Sequence, residues 1–173
     1  MLEALIFVVF PFCMAYAAIS DGLSMTIPNT VAAVLLLTFA IVAPLTGMDW
    51  SALAWHFAAG TLVLAVTFGL FAFGGLGGGD AKLLAATAVW MGFSHQLLGY
   101  LLTSAVLGGV LTIAILRYRR SGLSLHMGPN SVLHHFADKD VGIPYGIALG
   151  IGGLMAFPDT ALVQWAIDRL TAL

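Results

Sequence analysis

Apolar residues run almost unbroken through most of the chain, and polar ones gather in short interruptions. A helix that crosses a bilayer needs about 20 mainly apolar residues. Six stretches approach that: residues 2–19, 30–45, 53–73, 81–93, 97–116 and 141–157. The pattern predicts an all-α, polytopic membrane helical bundle of about six transmembrane helices. It forms one domain over 1–157 with a long polar loop at 117–140. The fourth stretch is short and is expected to borrow length from Lys82 at one end and residues 94–96 at the other. No basic residue precedes the first stretch, so a retained helix is expected there and not a removed signal. In 158–173, Asp159, Gln164, Asp168 and Arg169 alternate with Leu162, Trp165, Ile167 and Leu170, which fits a short helix lying on the interface. Gly60, Gly69, Gly108 and Gly109 suit close approach of helices in lipid.

Composition removes other classes. Of 173 residues, 61% are hydrophobic and 8% charged, and the mean hydropathy is +1.03. A soluble domain carries roughly a quarter charged residues, so this chain lacks the charge to cover a soluble surface. The net charge of -2 excludes a broad basic face for nucleic acid. Cys13, the one cysteine, excludes a disulfide framework and a Cys-rich zinc module. Arg117, Arg119, Arg120 and Lys139 bracket the longest polar segment, and Lys82 follows the third stretch. With six spans these five share one side and only Arg169 does not. The bias of basic residues makes that side the cytoplasm and puts both termini outside.

Six of the eight acids read as solvated charges: Glu3, Asp49, Asp138, Asp140, Asp159 and Asp168. Asp21 directly follows the first apolar run, and Asp80 closes the run Gly74-Gly75-Leu76-Gly77-Gly78-Gly79. Both fall at cytoplasmic helix ends, at similar depth. An ionisable group at membrane depth is a functional candidate whose partner must be named, and each is the natural partner of the other. Taken singly, Asp21-Gly22 suits a turn and Asp80 suits an N-cap. A turn needs one or two glycines, however, and Gly77-Gly78-Gly79 leaves bare backbone that an extended peptide could approach. Two carboxylates facing one water are the minimum for aspartyl proteolysis. They share one proton; one member activates the water and the other polarises the scissile carbonyl.

Gly77-Gly78-Gly79-Asp80 fits the GxGD signature of intramembrane aspartyl proteases. The stretch from Gly75 to Leu84 looks like the second aspartate motif of type IV prepilin peptidases. The first motif of that family is an aspartate a few residues before Ile-Pro-Asn, here Asp21 ahead of Ile27-Pro28-Asn29. Pro144-Tyr145-Gly146-Ile147-Ala148 also looks familial. The chain resembles this family over nearly its whole length, although residues 22–26 lack the basic residues usual there. Two-activity members carry an insertion with paired CxxC motifs and methylate the new N-terminus. This chain is instead similar to the peptidase-only, CpaA-like branch serving tight-adherence (Flp-type) pili. The resemblance implies cleavage of a prepilin leader after a glycine, at the cytoplasmic face of the bacterial inner membrane. Asp21 and Asp80 would be catalytic, no cofactor would be needed, and prepilin, lipid and other pilus-assembly proteins would be the partners.

Other residues leave alternatives open. Lys82 could bias the pair or meet a substrate acid, or it could anchor at the headgroups. Pro28 and Asn29 read as a turn and an N-cap entering the second helix. Tyr16 and Tyr145 could line the site or simply pack. His126, His134 and His135 share a loop with Asp138 and Asp140 but fit no tight metal motif, and His56 and His95 read as interfacial. Two rival classes stand: a small ion transporter or channel with acids near the midplane, and a non-catalytic membrane subunit of a pilus machine.

Overall fold

The computed structural model describes residues 1–121 and 142–172. Among them every regular element is helical. The order is α1 (Leu2–Ser24), α2 (Asn29–Leu45), α3 (Trp50–Ala72), α4 (Gly78–Met91), α5 (His95–Arg120), α6 (Tyr145–Ala156), a 3-10 turn (Phe157–Asp159) and α7 (Ala161–Thr171). Each predicted stretch is a helix, but their lengths differ in kind. α1, α3 and α5 are each long and apolar enough to span a membrane, and α6 with α7 forms a fourth candidate bent by 45°. α2, at 17 residues, and α4, at 14, are shorter.

α4 is the central helix. Ala81 and every residue from Leu83 to Met91 are buried, and α2, α3 and α6 pack around it. An apolar helix of this kind is apolar all round because it has no solvent or lipid face. The Trp90 indole donates to the Leu35 carbonyl of α2 at 3.0 Å, which gives a polar atom in the core the partner it needs. The Phe10 ring of α1 stacks on Phe157 and meets Trp90. Contrary to expectation, α4 gains no length at residues 94–96: Gly92 leaves the helix at φ 64, and Ser94 caps α5 by accepting from the Leu97 amide.

Glycines decide two helix contacts. A Cβ on Gly60 would lie 2.9 Å from the Ala85 carbonyl and overlap Val89, so α3 and α4 meet backbone to backbone. Gly108 takes the ring of Tyr145 where a Cβ would be. Gly69 and Gly109 face open space, so the expected close approach does not occur there. Two acids expected to be solvated are engaged. Asp49 is the N-cap of α3 and accepts from the Ser51 amide and hydroxyl, donors that hold its carboxyl below the usual range. Glu3 pairs with Arg169 at 3.1 Å, while Leu162, Val163 and Ala166 of α7 are buried. The Arg169 guanidinium also lies over the Trp165 ring.

Gly60→Ala should destabilise the protein by about 1–3 kcal/mol through overpacking, read as a lower thermal midpoint of detergent-purified protein followed by tryptophan fluorescence. Gly69→Ala should not lower it.

Candidate active site

Three helix ends meet at one end of the bundle: the last turn of α1, the first turn of α4 and the first turn of α6. α1 runs five residues past the apolar stretch, so Asp21 lies within the helix and not in a turn after it. The Ser24 hydroxyl donates to the Ser20 carbonyl at 2.7 Å, and Gly22 is buried with its α-carbon side against Ile147. The helix stops at Met25, which takes a left-handed conformation (φ 53) and returns its amide to the Asp21 carbonyl.

Asp21 is 6% exposed. Its Oδ2 accepts the backbone N–H of Gly146, from the first turn of α6, at 2.6 Å. A Cβ on Gly146 would stand 2.8 Å from Asp21 Cβ, 2.9 Å from Oδ2 and 2.9 Å from Ile27 Cδ1. Only a glycine lets that amide reach the carboxyl. Gly146 lies inside the Pro-Tyr-Gly-Ile-Ala segment, yet nothing in the sequence marked it apart from its neighbours.

Asp80 is not the N-cap of α4, as its position before an apolar run had predicted. Gly77 holds that place in extended conformation (φ -71, ψ 145), and Asp80 is the third residue of the helix. Its carboxyl turns back onto the Gly77 amide, half of the reciprocal arrangement known at helix starts. A Cβ on Gly77 would meet Asp80 Oδ2 at 2.7 Å. Asp80 Oδ1 is buried and has no hydrogen-bond partner among the described residues.

The two aspartates line one cavity of about 360 Å³ and interact electrostatically across it. Gly74, Gly75, Gly77 and Gly142 supply much of the remaining wall. The glycine run therefore divides. Gly78 and Gly79 are helical; a Cβ on Gly78 would meet the Phe71 ring at 3.3 Å, and one on Gly79 would meet Ile27 at 3.2 Å. Of the bare backbone expected over Gly77-Gly78-Gly79, the last two residues are thus helical. Gly74 and Gly75, to which the sequence reading gave no role, line the cavity instead.

The Ile27-Pro28-Asn29 segment lies over this end. Pro28 is the N-cap position of α2 and Asn29 its first residue, with no side-chain cap. The Asn29 amide oxygen accepts from Lys82 Nζ at 2.8 Å, which ties the start of α2 to α4. Pro144, buried, precedes α6, and Tyr145 turns away to pack over Gly108. Tyr16 is exposed and stacks on Phe12, away from the cavity. His56 is half-buried between helices, its Nδ1 2.7 Å from the Val89 carbonyl. Among the described residues no group of three His, Cys, Asp or Glu could hold a metal. His126, His134, His135, Asp138, Asp140 and Lys139 lie outside the described residues.

The profile of the type IV leader peptidase family matches residues 8–113, well over half of the chain. The chain belongs to this family. Neither a curated protein nor a solved structure gives a match. In this type IV leader peptidase the matched region carries both aspartates, the glycine run and the Ile27-Pro28-Asn29 segment, while α6 and Gly146 fall beyond it. Membership makes the chain a protease of leader-peptidase type with a prepilin-type substrate, in keeping with its membrane-spanning helices.

Gly146→Ala should push Asp21 out of place. An error of about 1 Å at a reacting group costs on the order of 10²-fold in rate, so leader removal should slow by about that factor while KM and membrane accumulation hold. Gly69→Ala, in open space, should cleave at the normal rate; a time course of leader removal reads both.

Proposed function

We propose that the chain is an aspartic-type endopeptidase of the bacterial inner membrane that removes the leader of a Flp-type prepilin, with Asp21 and Asp80 as the catalytic pair. The supporting observation is that two carboxyls 59 positions apart in the sequence line one glycine-walled cavity, in a chain of a leader-peptidase family. The ionised member draws a proton from a water molecule, and the water oxygen attacks the scissile carbonyl carbon. The protonated member donates to the carbonyl oxygen. Collapse of the tetrahedral intermediate then expels the amine, which takes up a proton. The two groups titrate as a pair, so neither is assigned a fixed role.

Gly77, with its neighbours Gly74 and Gly75, offers backbone to an extended substrate. Gly78 and Gly79 contribute the free amides of the first turn of α4. Lys82, exposed beside them, meets the substrate from its tie to Asn29. Pro28, Asn29, Pro144 and Tyr145 act by holding the surrounding turns. The lone cysteine and the absence of paired CxxC motifs from this sequence support a peptidase-only reading, without methyl transfer.

The catalytic end faces the cytoplasm. Lys82 and the three arginines of the last turn of α5 share that end, and Arg119 reaches the Gly142 carbonyl there at 3.2 Å. Both termini then lie outside, with α7 along the outer interface. Lipid and other pilus-assembly proteins remain partners in this reading. Ion transport is disfavoured because both acids stand at helix ends and not at mid-helix.

Co-expression with a Flp-type prepilin, read by gel shift, tests the pair. Asp21→Asn and Asp80→Asn should each lower processing on the order of 10³-fold or more while the protein accumulates in the membrane. Full processing by either variant would overturn the assignment. Lys82→Met should raise KM by roughly 3–10-fold and spare kcat, the signature of lost uniform binding.

A further inference from the structure

Beside the aspartate cavity lies a larger cleft of about 750 Å³ that the catalytic pair does not use. α3 forms one side of it with Val66 and Leu70, α5 the other with Leu98 and Leu101, and Leu84 of α4 is part of its floor. α3 packs on α4, and α5 chiefly on α6, so the two long helices have no substantial packing against each other. Val66 and Leu98, on its lips, are 58% and 56% exposed.

The cleft runs along α4 from one end of the bundle to the other. Its far end is at Phe93, Ser94 and His95, between α4 and α5. Its near end is at Leu76 and Tyr145. Leu76 also lines the aspartate cavity. Leu84 stands one helical turn from Asp80 on the same face of α4. The wall is largely apolar; of its hydroxyls, Thr67 donates to the Val63 carbonyl, Ser94 to the Met91 carbonyl, and the Ser104 Oγ is buried against Gly152 of α6.

We infer that this cleft receives the membrane-spanning apolar helix of the substrate, which moves in from lipid between α3 and α5 and brings its cytoplasmic end to Leu76 and Tyr145. The inference rests on the leader-peptidase reading. An enzyme that cuts a membrane-inserted chain at the cytoplasmic surface must hold the spanning part of that chain alongside its site. The cleft is continuous with the aspartate cavity at Leu76. A lipid acyl chain suits the same apolar walls, but nothing requires its end to reach the aspartate cavity, whereas the bond to be cut must arrive there, and the cleft leads to that cavity.

Disulfide trapping tests this on the full chain. In a Cys13→Ala, Asp80→Asn background, single cysteines at Val66 or Leu98 are paired with cysteines walked along the apolar helix of a Flp-type prepilin. Leu37 of α2, 63% exposed and outside the cleft, is the reference. Trapping at Val66 and Leu98 should exceed that at Leu37 by about tenfold or more and should repeat every three to four substrate positions. In the otherwise unaltered enzyme, Ala105→Phe narrows the cleft from an exposed position, so KM for the prepilin should rise about tenfold with kcat kept. Equal trapping at Leu37, an unchanged KM for Ala105→Phe, or a photoactivatable lipid that labels the cleft and is not displaced by prepilin would each overturn the inference. Processing by the unaltered enzyme separates the two readings. If it processes prepilin while trapping avoids the cleft, only the docking site fails; if it processes nothing, the leader-peptidase reading fails with it.

Discussion

A carboxyl group set at the edge of a hydrocarbon layer needs a hydrogen-bond donor that brings no bulk with it. The amide of a glycine at a helix start meets that need, and this end of the bundle uses one for each acid. Asp21 takes the Gly146 amide at 2.6 Å, and Asp80 turns onto Gly77. In both places the carboxyl oxygen lies within 3 Å of where a Cβ would stand. The donor belongs to backbone already free of helical partners, and the positive end of each helix adds to the attraction. The arrangement of α1, α4 and α6 follows from bringing those two helix starts to the end of α1.

Holding three helix ends together takes more than two amides. Ile27 provides an apolar lid that touches the start of α4 at Gly79 and the start of α6 at Gly146. Lys82 and Asn29 tie the same segment from its outer side. Met25, strained into a left-handed conformation, lets the chain turn tightly enough to place Ile27 there. The segment between α1 and α2 is therefore part of the site's scaffold as well as a connection.

Much of this was legible in the sequence, and the limits have physical causes. The six apolar stretches marked six helices because lipid leaves the backbone no other choice. The two aspartates stood out because so few charges compete with them. Helix ends were less legible: Ser20-Asp21-Gly22 reads as a turn, yet burial of Asp21 and Gly22 against α6 keeps it helical. Within the glycine run the start of α4 was not legible: Gly78 and Gly79 are helical and pack against Phe71 and Ile27, while Gly74, Gly75 and Gly77 line the cavity. Gly146 was invisible for a different reason. Its role depends on a contact 125 positions away, which no local pattern encodes. Asp49 could have been read as a cap from Asp-Trp-Ser at the start of an apolar run.

The shortness of α4 sets the depth at which water must work. Fourteen residues extend about 21 Å, against a hydrocarbon layer of about 30 Å. The central helix is thus shorter than the layer, while α1, α3 and α5 are long enough to cross it. Asp80, in the first turn of that helix, puts a buried carboxyl at the end of an element that alone is too short to cross the layer. In the proposed reaction, water would then come to the pair from that end of the bundle, with no water channel through it.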